Sequence, residues 1–111
     1  MKTYIVVTFR VPGFHNWPDA PATHAHLSVR HRHEFVFRAE FEVATKNREL
    51  EFHTQQAVLR NLVLRSWPTC ELGLEFGAMS CEMIAERVLH GLRAHAVEVW
   101  EDSENGARVE A

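Results

Sequence analysis

The stretch HRHEFVFRAEFEV, residues 31–43, decides the fold class, because it is the longest alternating run in the chain. Its odd-numbered positions are two histidines followed by apolar residues, and its even-numbered positions are mostly charged. Successive side chains of a β-strand point to opposite faces of a sheet. The pattern therefore predicts a long strand with one buried and one polar face. His31 and His33 would leave this strand on the same face.

Shorter periodic segments flank this stretch and predict five further elements. They are a strand at 4–11, helices at 54–66 and 81–94, and strands at 96–101 and 107–111. Pro12-Gly13 predicts the end of the first strand, and Asn105-Gly106 predicts the turn of a terminal hairpin. Residues 69–77 are predicted to be irregular, and Ser80 is predicted to cap the second helix.

The order of these elements is strand, strand, helix, helix, strand, strand. The chain has 111 residues, of which 46% are hydrophobic and 24% are charged, a composition typical of a globular protein. A chain of this length forms one domain, here spanning residues 1–111. We therefore expect an α+β domain in which two helices cover one face of a four-stranded antiparallel sheet.

The charge and the absence of apolar runs exclude several classes of protein. The net charge is -3, whereas a nucleic-acid-binding protein is normally basic. No run approaches the roughly 20 apolar residues that a membrane span needs. The first residues do not resemble a signal peptide, and two cysteines do not make a disulfide framework. We therefore expect a cytoplasmic protein that binds neither nucleic acid nor membranes.

Eight histidines stand in this chain, and three of them can meet at one point. If the first two strands pair antiparallel, His15, which follows the first strand, lies near His31 and His33. Three imidazoles that leave a fourth position open are typical of a catalytic zinc site. The alternative is that the apolar face tolerates histidines near its edge. We favour a zinc site formed by His15, His31 and His33.

Two glutamates and two further histidines are additional candidates. Glu101 shares a strand face with apolar residues, and its two oxygens suit a pair of N–H groups on a heterocycle. The alternative for Glu101 is a solvated position at the sheet edge. Glu82 lies where a carboxylate favours the start of a helix. His24 and His26 either extend the metal site or lie exposed in a loop.

Several short motifs, taken in order, resemble the 6-pyruvoyl-tetrahydropterin synthase and 6-carboxy-tetrahydropterin synthase family. His31-Arg32-His33 resembles its H-G-H, and Glu51-Phe52 resembles the Asp-Phe before its first helix. The segment SCEM at 80–83 resembles its P-T-[AS]-E-N, and VWE at 99–101 resembles its V-W-E. The resemblance extends along essentially the whole chain.

The resemblance implies a tunnelling fold (T-fold) that binds zinc through His15, His31 and His33. It further implies a lyase that acts on a reduced pterin triphosphate, in the synthesis of pterins or of a queuosine precursor. Glu101 would anchor the pterin ring, and Glu82 would belong to the same binding site. Family members join their strands between subunits into a barrel, so a homotrimer or a hexamer is expected.

Two departures from the family concern proton transfer. The family's catalytic cysteine stands four residues before the first histidine of the H-x-H motif, and this position is Leu27 here. The family's L-D-H motif between the helices has no counterpart. Four side chains remain as substitutes, namely Cys70, Cys81, His24 and His26. The alternative function is therefore a metal-bearing T-fold without enzymatic activity, which binds a pterin or purine-like ligand or serves assembly. A purely structural domain would require the histidines to be incidental.

Overall fold

The computed structural model describes residues 1–111 as six strands, two α-helices and one 3-10 helix. The strands and α-helices are β1 (Thr3–His15), β2 (His31–Val43), α1 (Phe52–Ser66), β3 (Thr69–Cys70), β4 (Gly73–Gly77), α2 (Cys81–Gly91), β5 (Ala96–Glu101) and β6 (Asn105–Glu110). The 3-10 helix, Ala22–Ser28, lies between β1 and β2. Neither α-helix has the length and apolar composition needed to cross a membrane.

All six strands form one mixed sheet in the order β3-β4-β1-β2-β5-β6. The predicted α+β class is confirmed, but the predicted four-stranded antiparallel T-fold sheet with the element order ββααββ is wrong, because β3 and β4 lie between the two α-helices. The four expected strands are the contiguous part β1-β2-β5-β6, in which every neighbouring pair is antiparallel. Beyond them, β4 pairs with β1 in the parallel direction, and β3 pairs with β4. The segment that was expected to be irregular therefore supplies two strands.

Two glycines let β4 approach β1 closely. A Cβ atom on Gly13 would lie 2.4 Å from the ring of Phe76, and one on Gly73 would lie 2.2 Å from the carbonyl oxygen of Pro12. Glycine in a strand interior often marks such a close approach of another backbone. The prediction that Pro12-Gly13 ends the first strand is consequently wrong. Strand β1 continues to His15, which places that histidine inside the sheet.

The apolar face of the sheet carries both helices, as predicted. Phe35 and Phe37 of β2 are fully buried on this face. Helix α1 packs Leu59 and Val63 into the same core, and α2 packs its own apolar stripe there. That stripe is Ile84, Ala85 and Val88. Burial of such side chains stabilises a fold by roughly 1.5–3 kcal/mol each, so this layer positions the helices.

The opposite face carries a network of two arginines and two glutamates. Arg38 and Arg108 both bond to Oε2 of Glu98, at 2.6 and 2.8 Å. The same two arginines also bond to Glu40. The hydrogen bond from Arg108 lowers the pKa of Glu40. Burial alone would raise the pKa of Glu98, but hydrogen bonds from Trp100 and the arginines lower it. The charged face that the sequence predicts is therefore internally paired.

The terminal hairpin turns at 102–104 and not at Asn105-Gly106. Asn105 pairs with Glu101 and Gly106 with Trp100, so both residues belong to β6. The turn contains Asp102 and Ser103, with φ values of 54° and 59°. Aspartate is among the residues that adopt this left-handed conformation most readily. A Cβ atom on Gly106 would lie 2.7 Å from the indole of Trp100. This close packing, rather than a turn, explains why residue 106 is a glycine.

Candidate metal centre

Three histidines meet where β1 ends and β2 begins. In the antiparallel register His15 pairs with His31, and His33 lies opposite Gly13. One ring nitrogen from each histidine lies within 4.8 Å of the other two. His15 is buried, while His31 and His33 are partly exposed. The predicted convergence is confirmed, and it follows from the strand alternation together with the uninterrupted pairing of β1 with β2.

A hydrogen bond at Nδ1 fixes the orientation of each of the three histidine rings. This atom lies 2.9 Å from the Met79 carbonyl oxygen in His15 and 2.8 Å from the Val29 carbonyl oxygen in His31. In His33 it lies 2.6 Å from Oδ2 of Asp102. Carbonyl and ionised carboxylate oxygens only accept hydrogen bonds, so each Nδ1 donates. A metal-binding histidine usually has such a partner on its other nitrogen.

With Nδ1 occupied, each ring would bind a cation through Nε2, and in His15 the cation would replace the Nε2 proton that bonds to Glu101. Three neutral imidazoles suit zinc and several other transition metals. A set of three protein ligands with a further open position is typical of catalytic rather than structural zinc sites. The donor set of His15, His31 and His33 therefore fits a transition-metal ion.

Glu101 lies against two of these histidines. Its Oε2 is 2.9 Å from Nε2 of His15, and its Oε1 is 3.7 Å from Nε2 of His33. The hydrogen bond from His15 lowers the pKa of Glu101 more than burial raises it. Burial by itself would lower the pKa of His15, but the bonds to Glu101 and to the Met79 carbonyl raise it. The predicted alternative of a solvated edge glutamate therefore does not describe Glu101.

A cavity of about 530 Å³ opens beside the triad. This volume lies within the usual range for small-molecule sites, about 300–1,000 Å³. Its polar lining includes His15, His31, Glu82 and Glu101. Its apolar lining includes Trp17, Leu27, Met79 and Met83. The cavity thus combines convergent polar groups with apolar walls, as ligand sites commonly do.

The start of α2 forms one wall of the cavity. Ser80 caps this helix as predicted, accepting a hydrogen bond from the Met83 backbone N–H at 3.2 Å. Glu82 follows in the first turn and lines the cavity with an exposed side chain. Cys81 lies between them, buried and beside Glu101. Burial, together with the nearby carboxylates of Glu101 and Glu82, raises the pKa of the Cys81 thiol to about 12.

Of the four substitutes considered for the family's thiol, only Cys81 lines the cavity. Leu27 lines it as well, at the position where the family has its cysteine. Cys70 is exposed on the short strand β3. His24 and His26 are exposed on the 3-10 helix, so they do not extend the metal site.

Asp102 and the Met79 carbonyl are two distant site groups that sequence reasoning misses. Asp102 accepts a hydrogen bond from Nδ1 of His33, 69 residues away along the chain, and the Met79 carbonyl accepts one from Nδ1 of His15, 64 residues away. Asp102 also accepts the Glu34 backbone N–H at 2.9 Å, which fixes its carboxylate. The sequence signal for Asp102 is weak, because it depends on the true position of the hairpin turn. A backbone carbonyl such as that of Met79 has no sequence signal.

No protein-family model matches the chain, and no curated protein matches it.

Proposed function

We propose that this chain is a zinc protein that binds a reduced pterin or a similar purine-like heterocycle beside the histidine triad. One observation carries the proposal. The three histidines have their Nδ1 atoms occupied, and the ends of their strands open onto a cavity that Glu101 also lines. A transition metal and a small polar ligand can then be neighbours in one site.

Zinc is the proposed metal because three neutral imidazoles with a further open position are typical of zinc sites that bind a small molecule. His15, His31 and His33 would hold it through Nε2. When bound, zinc supplies a Lewis acid that polarises an oxygen of the neighbouring ligand. The carbonyl groups of Met79 and Val29 and the carboxylate of Asp102 keep the three rings oriented for this role.

Glu101 is the proposed recognition group for the heterocycle. A carboxylate accepts two parallel hydrogen bonds, and pterins and guanine present two adjacent N–H donors in that arrangement. Its side chain is about one quarter exposed, so it is accessible from the cavity yet partly desolvated. Hydrogen bonds are stronger where water is partly excluded. The apolar walls would cover the faces of the ring.

The test is metal analysis followed by ligand titration on the full chain. We expect one zinc per chain in the wild-type protein and in the control variants His24→Ala and His26→Ala. We expect the variants His31→Ala and His33→Ala to purify without stoichiometric zinc. Calorimetric titration of the zinc-loaded protein with dihydroneopterin should show saturable binding. Full zinc in both triad variants, or no binding of this ligand, would contradict the proposal.

A second candidate is a lyase of the tetrahydropterin synthase type, acting on a reduced pterin triphosphate. The observation that favours it is Cys81, which places a thiol in the cavity beside Glu101. Leu27 and the missing L-D-H motif weigh against it, because removal of a general base usually costs about 10²–10⁴ in rate. The raised pKa of the Cys81 thiol also weighs against it, because only a thiolate can accept a proton. Incubation with dihydroneopterin triphosphate distinguishes the two functions. Efficient turnover that is lost in Cys81→Ala would establish the lyase.

A further inference from the structure

No arginine or lysine lines the cavity beside the triad. Its ionisable lining consists of two glutamates, Glu82 and Glu101, two histidines, His15 and His31, and the thiol of Cys81. Proteins that bind a phosphorylated small molecule usually meet the phosphates with arginine, lysine or a run of free backbone N–H groups. The carboxylates of this lining therefore repel a polyphosphate, and only the proposed zinc ion would attract it.

The arginines next to the histidines in sequence are directed elsewhere. Arg30 donates through Nε to Glu75 at 3.1 Å, and its guanidinium lies 3.7 Å from the ring centre of Phe14. Arg32 lies between two histidines of β2, so it points to the opposite face of the sheet. The only two lysines, Lys2 and Lys46, lie beyond the far end of the β1–β2 pair.

The start of helix α2 does not compensate for this deficit. A helix N-terminus can attract anions through free backbone N–H groups. Here Ser80 already occupies the Met83 N–H, and the Glu82 carboxylate stands in the same turn.

The apolar part of the lining is unusually open to solvent. Trp17 is 46% exposed and Met83 is 56% exposed, and both lie at this cavity. Large apolar side chains that line a cavity while remaining exposed are suited to contact a ligand. In this cavity they would meet the substituent of a heterocycle whose N–H edge is held by Glu101.

We propose that the cavity takes an unphosphorylated heterocycle, a free pterin or purine-type base with a neutral substituent, and discriminates against its triphosphate. This inference rests on the proposed function and specifies the class of ligand. The N–H edge would bind at Glu101, and the substituent would lie against Trp17 and Met83. A triphosphate in the place of this substituent would be repelled by Glu82 and by Glu101.

The test compares dihydroneopterin with dihydroneopterin triphosphate on the zinc-loaded full chain. We expect the unphosphorylated compound to bind at least about tenfold more tightly, because unfavourable placement of like charges is costly. Raising the ionic strength should reduce the difference, since salt screens repulsion. Inorganic triphosphate, titrated in parallel, measures the direct attraction of the metal for phosphate.

Two matched variants locate the source of the discrimination. Glu82→Gln should improve binding of the triphosphate several-fold relative to binding of dihydroneopterin. Glu86→Gln, one turn further along α2 and outside the cavity, should change neither. Equal or tighter binding of the triphosphate by the wild-type protein would overturn the inference but keep the proposed function. An unchanged ratio in Glu82→Gln would also overturn it. Failure of both compounds to bind would overturn the proposed function and this inference with it.

Discussion

The carboxylate of Glu101 lies against the ring of His15, with Oε2 2.9 Å from Nε2. This contact joins the last residue of β5 to the last residue of β1. It places the proposed recognition group beside the nitrogen that a metal would use. The effects of Glu101 on metal binding and on ligand binding can therefore be separated only by a substitution that keeps the shape of its side chain and removes its charge.

Glu101→Gln is such a substitution. We expect zinc to remain stoichiometric and the affinity for dihydroneopterin to fall by at least about tenfold, because an amide NH₂ would face the N–H edge of the ring. Metal analysis and calorimetric titration measure the two effects. Glu104→Gln, in the neighbouring exposed turn, serves as the control. If zinc is lost from Glu101→Gln but not from the control, Glu101 is a metal ligand rather than a ring acceptor.

Asp102→Asn should weaken zinc binding by about 10–100-fold without abolishing it. Asparagine tolerates the left-handed conformation of this turn, so the backbone should be retained. Its amide can still accept from the Glu34 N–H, but its NH₂ group would then face the donating Nδ1 of His33. Competition with a zinc chelator measures the affinity. Affinity equal to that of Ser103→Ala would show that the contact with His33 has no effect on the metal.

The arginine–glutamate network on the open face should make stability sensitive to acid. Hydrogen bonds lower the folded-state pKa of Glu40 and Glu98 below the ordinary value of 4.5. Carboxylates of this kind contribute stability above their ordinary pKa and lose it as the pH falls through the lowered folded-state pKa. Urea unfolding between about pH 6 and pH 3 should therefore show a falling free energy of unfolding.

Glu98→Gln should flatten this pH dependence and lower the free energy of unfolding at neutral pH by about 2 kcal/mol. Its carboxylate accepts bonds from both arginines and from Trp100, so three donors lose a charged partner. Glu42→Gln changes an exposed residue on the same face of β2 and provides the control. Identical pH profiles for the two variants would show that the network does not cause the acid sensitivity.

Gly73→Ala should destabilise the pairing of β4 with β1. Its φ is +152°, and the new Cβ atom would meet the Pro12 carbonyl at 2.2 Å. Backbone strain and overpacking together should cost about 3 kcal/mol in the free energy of unfolding. Gly77→Ala has a φ of +66° but no neighbouring atom within 4 Å, so its cost should be nearer to about 1 kcal/mol. Chemical denaturation of both variants tests the difference, and equal losses would contradict it.

Strand β6 is paired only with β5 and leaves one edge of the sheet open. Open edges are commonly covered by pairing with another chain. We therefore expect the trimer or hexamer that the family resemblance implies, joined through strand pairing between subunits. Light scattering at micromolar concentration measures the mass. A particle of 12.8 kDa, the mass of one chain, would contradict this expectation.

Several elements of the fold could be predicted because their signals are local. The alternation of residues 31–43 gives β2, the stripes at helical spacing give α1 and α2, and Ser80 marks the start of α2. The histidine triad followed from two such elements and their antiparallel pairing. Each of these inferences needs only the spacing of neighbouring residues and the geometry of one strand pair.

The remaining elements depend on contacts between distant segments. Strand β4 has five residues bounded by glycines, and it is stabilised by its parallel pairing with β1. From the sequence alone, Gly13 indicates the end of a strand. In the structure it is a glycine because the ring of Phe76 occupies the space that a side chain would need. Similarly, the packing of Gly106 on Trp100 moves the hairpin turn to Asp102 and so creates the partner of His33. Such effects of tertiary packing have no local signature.

The groups that orient the three histidines come from distant parts of the sequence. His15, His31 and His33 belong to the first third of the sequence, but the Met79 carbonyl and Asp102 belong to the last third. The β1–β2 pair and the segment that joins its strands therefore orient only His31, through the Val29 carbonyl, and the complete binding site forms only after the C-terminal segments have docked. Metal binding would therefore occur late in folding. A bound ion would link the N-terminal and C-terminal segments and slow unfolding of the whole chain.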